Sequence, residues 1–138
     1  MTIFGEIYFC RHCGNLVRIL GEGEGVLICC GSKMQKLEVQ EISDNSQIHQ
    51  IVVKFDSTKN QLEISIGKPQ HPMEEAHFIS WIEIQWNELS YQHSFDFTHD
   101  KIPSLMIPSI TLPDTIRIIC NQHGLWEKKL KLKQHNFF

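Results

Sequence analysis

The stretch Thr115-Ile-Arg-Ile-Ile-Cys120-Asn-Gln-His123-Gly124 decides the fold. Its first half is rich in β-branched residues, which predicts a strand that ends on a cysteine. Its second half predicts a turn, because glycine tolerates the backbone angles that a tight turn needs. Cys120 and His123 lie three residues apart, so one turn of backbone can bring a thiolate and an imidazole to a single metal ion. Two donors are too few, so the remaining ligands must come from distant parts of the chain.

Short strand-like runs make up most of the chain after residue 47. They alternate apolar and polar residues or are apolar throughout, and none shows a sustained helical period. The runs cover residues 50–55, 62–66, 78–86, 91–97, 105–107, 115–119 and 126–133. Seven short strands in about 90 residues predict an all-β domain of the immunoglobulin-like β-sandwich type over residues 48–138.

A smaller unit is expected over residues 1–38, joined to the sandwich by a linker over residues 39–47. It contains two cysteine pairs, and a glycine follows each pair. The pairs are Cys10 with Cys13, and Cys29 with Cys30. A segment of this size rarely folds on a hydrophobic core alone. Structural zinc supplies about 10 kcal/mol or more in small peptides, so we expect a metal held by four thiolates in this unit.

Sulfur coordination of this kind selects zinc or iron. Adjacent ligands such as Cys29 and Cys30 are unusual for structural zinc, where two or more residues normally intervene. A plain structural zinc site is nevertheless the main alternative, and disulfide pairing is a minor one. The five cysteines are an odd number and no secretory signal precedes them, which argues against a disulfide framework and favours the reducing cytoplasm.

A second metal site is expected around Cys120 and His123. His71 and His77 lie six residues apart in a segment that Pro69 and Pro72 keep from being helical. The fifth donor is His49, which precedes a predicted strand. Four neutral imidazoles and one thiolate suit iron and leave one coordination position open, as in reactive rather than structural sites. An isolated histidine in a β protein is usually a surface or core residue, but the joint pattern of these five residues favours metal binding.

Composition excludes several classes of function. The chain has 138 residues, of which 41% are hydrophobic and 21% charged, and its net charge is −3. This balance is ordinary for a folded soluble protein and does not indicate general nucleic-acid binding. No apolar run is long enough to span a bilayer. We therefore expect a cytoplasmic protein.

These motifs resemble desulfoferrodoxin, the two-iron class of superoxide reductase, nearly from end to end. Tyr8-Phe9-Cys10-Arg-His-Cys13-Gly14-Asn15 and Cys29-Cys30-Gly31-x-x-Met34 are similar to its desulforedoxin-like N-terminal domain. The motifs similar to its catalytic domain are His71-Pro72-Met73-Glu74-Glu75-x-His77-Phe78-Ile79-x-Trp81-Ile82 and Cys120-Asn121-x-His123-Gly124-x-Trp126.

The resemblance implies one iron bound by the four cysteines of the small unit, where zinc is the alternative metal. It implies a second, catalytic iron with the four histidines in a plane and Cys120 below them. The implied reaction is one-electron reduction of superoxide to hydrogen peroxide, supplied by an external donor such as a rubredoxin-like protein. A homodimer, with the small domains at the subunit contact, is also implied.

The chain departs from this family beside the first histidine ligand. The family usually has Glu-Lys-His-Val-Pro there, whereas this chain has Gln47-Ile48-His49-Gln50-Ile51. The lysine attracts the anionic substrate, and charge steering typically changes association by about ten- to a thousandfold. The departure leaves an alternative open, a non-enzymatic electron carrier or redox sensor with weakened superoxide turnover. A zinc-filled structural or interaction module is a third hypothesis.

Overall fold

The protein is described here by a computed structural model, which covers residues 1–43, 45–87 and 89–130. Within these residues the chain forms thirteen strands and one 3-10 turn, and no helix has the length and apolar character needed to cross a membrane. The chain divides into two compact units, Met1–Glu38 and Val39–Phe138. The predicted all-β fold, a small metal-type unit followed in sequence by a β-sandwich, is confirmed.

The first unit consists of five very short strands. They are β1 (Ile7–Phe9), β2 (Leu16–Arg18), β3 (Ile28–Cys29), β4 (Ser32–Lys33) and β5 (Gln35–Lys36). The strands β2, β1 and β5 form an antiparallel sheet in that order, and β3 pairs with β4. In this unit, which the structure describes completely, the buried apolar residues are Ile7, Cys10 and Ile19. So small a core agrees with a fold that depends on a bound metal.

The second unit contains two facing sheets. Its strands are β6 (Val39–Glu41), β7 (Ile51–Asp56), β8 (Gln61–Ile66), β9 (Ile79–Trp86), β10 (Leu89–Ser94), β11 (Ser104–Pro108), β12 (Thr115–Cys120) and β13 (Gly124–Lys129). One sheet has the order β10-β9-β12-β13-β6 and the other the order β11-β8-β7. All pairings are antiparallel except that of β6 with β13, which is parallel.

Isoleucine and leucine side chains from both sheets fill the space between them. On β8 the buried residues Leu62, Ile64 and Ile66 alternate with more exposed polar residues, as the sequence pattern predicts. Complete burial of each such side chain contributes roughly 1.5–3 kcal/mol. Six further fully buried isoleucines belong to the same core: Ile51, Ile79, Ile82, Ile84, Ile116 and Ile118.

The connections at one end of the sandwich carry all the predicted ligands of the second site. Ile51 at the start of β7 pairs with Ile66 at the end of β8. In the other sheet, Cys120 at the end of β12 pairs with Ile79 at the start of β9 and with Gly124 at the start of β13. Antiparallel pairing therefore collects the turn before β7, the β8–β9 loop and the β12–β13 turn.

Several boundaries differ from those expected from the sequence. The strand expected over residues 91–97, for example, is observed as Leu89–Ser94. Residues 39–47, assigned above to a linker, begin with strand β6 and end within the 3-10 turn Gln47–His49. The last strand is observed as Gly124–Lys129, whereas its predicted end at residues 131–133 lies outside the described residues.

Candidate metal centres

The four cysteines of the first unit come together. Their sulfur atoms all lie within 4.8 Å of one another, and all five cysteines of the chain are free thiols. Cys10 is buried and Cys13 is exposed, at the two ends of a turn that Gly14 closes at a φ of +83°. Cys30 adopts a φ of +53°, which is uncommon for a residue with a side chain. Successive side chains of an extended strand point to opposite faces, so this departure explains how Cys29 and its neighbour both face the cluster.

The ionisation of these thiols is consistent with a bound cation. A hydrogen bond from the backbone N–H of Cys13 lowers the pKa of Cys10 to about 6. Hydrogen bonds to Cys13 and Cys10 raise the pKa of Cys30 to about 12. Neighbouring thiolates repel one another, so four of them cannot ionise together without a compensating positive charge. A bound iron or zinc ion would supply that charge.

The second cluster takes its side chains from three connections. His49 ends the 3-10 turn before β7. His71 and His77 lie in the β8–β9 loop, Cys120 ends β12, and His123 lies in the turn before β13. His49 and His71 are buried, with 5% and 0% of their surfaces exposed. His77 is half-buried and His123 is exposed, so the cluster has a buried side and an open side.

The four imidazoles form a closed circuit. Their ring centroids are separated by 5.1 Å from His49 to His71, 4.5 Å from His71 to His77, 5.1 Å from His77 to His123 and 5.0 Å from His123 to His49. Potential ligand atoms of three of these histidines and of Cys120 lie within 4.8 Å of one another; the three are His49, His71 and His77. His123 lies outside that tight group, but its Nδ1 is 3.5 Å from the Cys120 sulfur.

The donor atoms fit a metal ion. The Nε2 atoms of His49, His71 and His77 are buried without a hydrogen-bond partner, and leaving a buried polar atom unpaired costs about 1–3 kcal/mol. The Nδ1 of His71 lies 2.8 Å from the carbonyl oxygen of Pro72, so Nδ1 carries the proton and Nε2 keeps its lone pair. Metal coordination would satisfy all three atoms.

Burial also sets the protonation of the cluster. It lowers the pKa of His49 to about 4 and lowers the pKa values of His71 and His77 as well. These three imidazoles are therefore neutral near pH 7, as metal ligation requires. Burial raises the pKa of the Cys120 thiol, although backbone N–H groups of Gln122 and His123 oppose the change. A metal would have to displace the thiol proton to bind this sulfur.

Two further residues hold the buried side of the cluster. The indole of Trp126 stacks on the His49 ring at 4.6 Å, with 11° between the planes. Gly67 joins the two histidine-bearing loops, since its N–H donates to Gln50 O at 2.7 Å and it directly follows Ile66, whose carbonyl accepts the His71 N–H. Sequence reasoning missed Gly67, for which an isolated glycine after a strand was the available signal.

Gln47 and Ile48, where this chain departs from the family pattern, lie in the 3-10 turn before β7. Gln47 is exposed, with a φ of +31°, and Ile48 is half-buried beside His49. The backbone N–H of Lys68 donates to Gln47 O at 2.9 Å, which places this lysine next in space to the turn. Its side chain is exposed.

The family models that match this chain cover the residues of both clusters. The desulfoferrodoxin family model matches residues 41–129, and the model of the desulfoferrodoxin N-terminal domain matches residues 2–37. A desulfoferrodoxin from Syntrophotalea carbinolica is 38% identical over 124 residues, which cover 90% of this chain and 95% of that protein.

The chain belongs to the desulfoferrodoxin family.

Two further proteins that this chain resembles are named superoxide reductase. A putative superoxide reductase from Methanocaldococcus jannaschii is 39% identical over 74 residues, covering 49% of this chain and 62% of that protein. The crystal structure of the superoxide reductase from Treponema pallidum matches with a TM-score of 0.72 at 16% identity, and covers 90% of this chain and 97% of that one. At this identity the match supports the fold.

The desulfoferrodoxin fold thus brings together all nine side chains that the sequence singles out. Four sulfurs meet in the first unit, and three histidines with Cys120 meet in the second, with His123 at the edge. Both clusters are consistent with iron binding.

Proposed function

We propose that this desulfoferrodoxin is an iron-dependent superoxide reductase. The reaction consumes one superoxide, one electron and two protons and gives one hydrogen peroxide. The electron comes from an external one-electron donor of the rubredoxin type. The proposed catalytic domain is residues 48–138, and its proposed iron ligands are His49, His71, His77, Cys120 and His123.

The circuit of four imidazoles beside a buried sulfur carries this proposal. Three of the rings present unpaired Nε2 atoms, so the donors are arranged for a metal before it binds. Five protein ligands leave a six-coordinate metal one position for a small anion. Iron bound there would supply the one-electron redox chemistry and the position at which superoxide is reduced.

The protein contributes ligand orientation and limited access. Burial keeps His49 and His71 neutral and excludes water from their side of the circuit. Trp126 covers the face of the His49 ring. The half-buried His77 and the exposed His123 border the open side, from which a diatomic anion reaches the site most directly.

Proton supply and charge steering are the steps in which this chain is unusual. Ile48 has no proton to donate and no charge to attract an anion, and Gln47 is neutral. We therefore assign both protons to solvent and expect slow encounter with superoxide. The chemistry at the iron does not require either side chain.

The remaining proposals concern the surroundings of the enzyme. We assign iron to the four-cysteine site formed by Cys10, Cys13, Cys29 and Cys30, where it would relay electrons or stabilise the small unit. We also propose that the protein works in the cytoplasm as a homodimer.

Rapid mixing of the anaerobically reduced protein with superoxide tests the proposal. A reductase supplied with an electron donor forms one peroxide for each superoxide consumed, whereas dismutation forms one for every two. We expect the reductase ratio, and we expect His77→Ala and Cys120→Ser to react far more slowly than the parent. If either variant reacts as fast as the parent, the assignment of the site is wrong.

A further inference from the structure

The two histidines on the open side of the cluster lack the burial that holds the other two. His77 lies in a loop and is only half-buried, whereas His71 is completely buried. A half-exposed loop residue has fewer packing contacts to fix its side chain than a buried one. Some other contact must therefore hold His77 in place.

The backbone around His77 is held by hydrogen bonds on every side. Its own N–H and C=O pair with the C=O and N–H of Glu74, both at 3.0 Å. The flanking groups pair with the Cys120–His123 turn. Phe78 N–H donates to the side-chain Oδ1 of Asn121 at 2.8 Å, and Asn121 N–H donates to Phe78 O at 3.1 Å.

Asn121 replaces a backbone group that the sheet lacks at this point. The register between β9 and β12 shifts between Ile119 and Cys120, so the ladder is irregular there before its last pair, Cys120 with Ile79. The Asn121 carboxamide oxygen accepts the Phe78 N–H in place of a main-chain carbonyl. This reciprocal pair extends the ladder by one step, just past the cysteine.

The carbonyl of Ala76, on the other side of His77, accepts two carboxamide donors. They are Asn121 Nδ2 at 3.0 Å and Gln122 Nε2 at 2.6 Å. The same two residues lie beside Cys120, and the backbone N–H of Gln122 bonds to the Cys120 sulfur. One short segment thus fixes both a sulfur and an imidazole.

We propose that Asn121 and Gln122 are positioning residues for His77. Their carboxamides hold the peptides before and after His77, so that the imidazole points to the metal from a loop that packing alone leaves loose. Asn121 makes two of the three carboxamide hydrogen bonds and Gln122 makes one. Asn121 therefore carries the larger share of the restraint. The inference rests on the proposed role of His77 as an iron ligand.

Three single variants of the full chain test this role: Asn121→Ala, Gln122→Ala and the control Gln92→Ala. Gln92 accepts a hydrogen bond from Trp81 Nε1 at 3.2 Å on the same sheet, where it pairs with Glu83 and makes none of the hydrogen bonds around His77 described above. The first measurement is the amide hydrogen exchange of Phe78 in the iron-free protein. We expect faster exchange in Asn121→Ala and exchange at the parental rate in Gln92→Ala.

The second measurement is the rate at which excess chelator removes iron from the histidine site. It is followed by electron paramagnetic resonance, which separates iron bound by imidazoles from iron bound by four thiolates. Loss of groups that orient metal ligands typically weakens metal binding about 10–100-fold. We expect release about 10–100-fold faster in Asn121→Ala, a smaller increase in Gln122→Ala and no change in Gln92→Ala. The ferric signal of the histidine site should also change shape in Asn121→Ala.

The proposal is overturned if Asn121→Ala and Gln122→Ala release iron at the parental rate with an unchanged ferric signal. The carboxamide of Gln122 makes one hydrogen bond and that of Asn121 makes two. The Gln122→Ala variant should therefore fold even if Asn121→Ala does not, and it alone then decides the question. Failure of the proposed enzyme activity is a separate result. It would show as a parent protein that holds iron but does not reduce superoxide, whereas release rates still report on His77.

Discussion

Replacing Gly67 by alanine should destabilise the sandwich and disturb both buried histidine loops. Gly67 has a φ of +100°, and a β-carbon added there would lie 2.4 Å from His71 N, 2.5 Å from Pro69 O and 2.8 Å from Ile48 O. Carbon atoms do not approach backbone atoms so closely, so the chain must move. Because two of these atoms belong to His71 and to the residue before His49, the movement reaches the metal cluster.

The magnitude follows from two costs. A side chain at this backbone angle costs about 1–3 kcal/mol, and forcing extra volume into a packed site costs about 1–3 kcal/mol more. The lower entropy of alanine in the unfolded chain returns about 0.4–1 kcal/mol. Together these terms lower the free energy of unfolding by about 1–6 kcal/mol, with a middle value of about 3 kcal/mol. That is a large part of the roughly 5–15 kcal/mol typical of a domain.

Gly124→Ala is the matched control. Gly124 also has a positive φ, of +87°, but an added β-carbon would meet only the flexible end of Gln40, at 3.2 Å. The two variants share the backbone strain and differ in the overlap with backbone atoms. Gly124→Ala should therefore lose only about 1–2 kcal/mol.

The assay is urea unfolding of the iron-free protein, followed by tryptophan fluorescence. All three tryptophans, Trp81, Trp86 and Trp126, lie in the second unit, so the signal reports the sandwich. A midpoint for Gly67→Ala that lies clearly below that of Gly124→Ala, with an unchanged slope, supports the reasoning. Equal midpoints would refute it, because the three close approaches would then cost nothing.

Three further predictions concern charge. Arg117→Ala should lower the free energy of unfolding by about 3–5 kcal/mol in urea titrations, because it removes the cation that pairs at 2.5 Å with the buried carboxylate of Glu83, 1% exposed. A loss below about 1 kcal/mol, the worth of an exposed pair, would contradict this. Ile48→Lys should speed the reaction with superoxide about tenfold or more at low salt, and the gain should shrink as salt is added; stopped-flow rates that do not depend on salt would argue against steering at this position. The iron-free protein should lose stability as the pH falls from 6.5 to about 4, because burial lowers the pKa of His49 and the unfolded chain then binds the proton more tightly; urea midpoints that stay constant over this window would contradict it.

The strands were predictable wherever the pattern was local. Alternation in β8 and the β-branched run of β12 follow directly from the sequence, and the antiparallel order then brings the ends that carry the ligands together. The cysteine spacing was equally informative, because two close cysteine pairs in a segment with a small core indicate a metal site.

Features that depend on distant partners could not be predicted. Strand β6 has three exposed residues and no apolar alternation, and it forms only because β13 offers a parallel edge. The burial of Glu83 depends on Arg117, which lies 34 residues later in the chain. The hydrogen bonds from Asn121 to the residues on either side of His77 accompany a register shift that no short sequence pattern reveals.

The central claim is that four histidines and Cys120 surround one iron while four cysteines hold another. Mössbauer spectroscopy of the reduced full chain, loaded with the Mössbauer-active iron isotope, tests this most directly because it counts distinct iron environments. We predict two ferrous species in equal amounts, one typical of a tetrahedral thiolate site and one of a nitrogen-rich site of higher coordination number. A spectrum that shows thiolate-bound iron alone, with no species from the histidine cluster, would contradict the account.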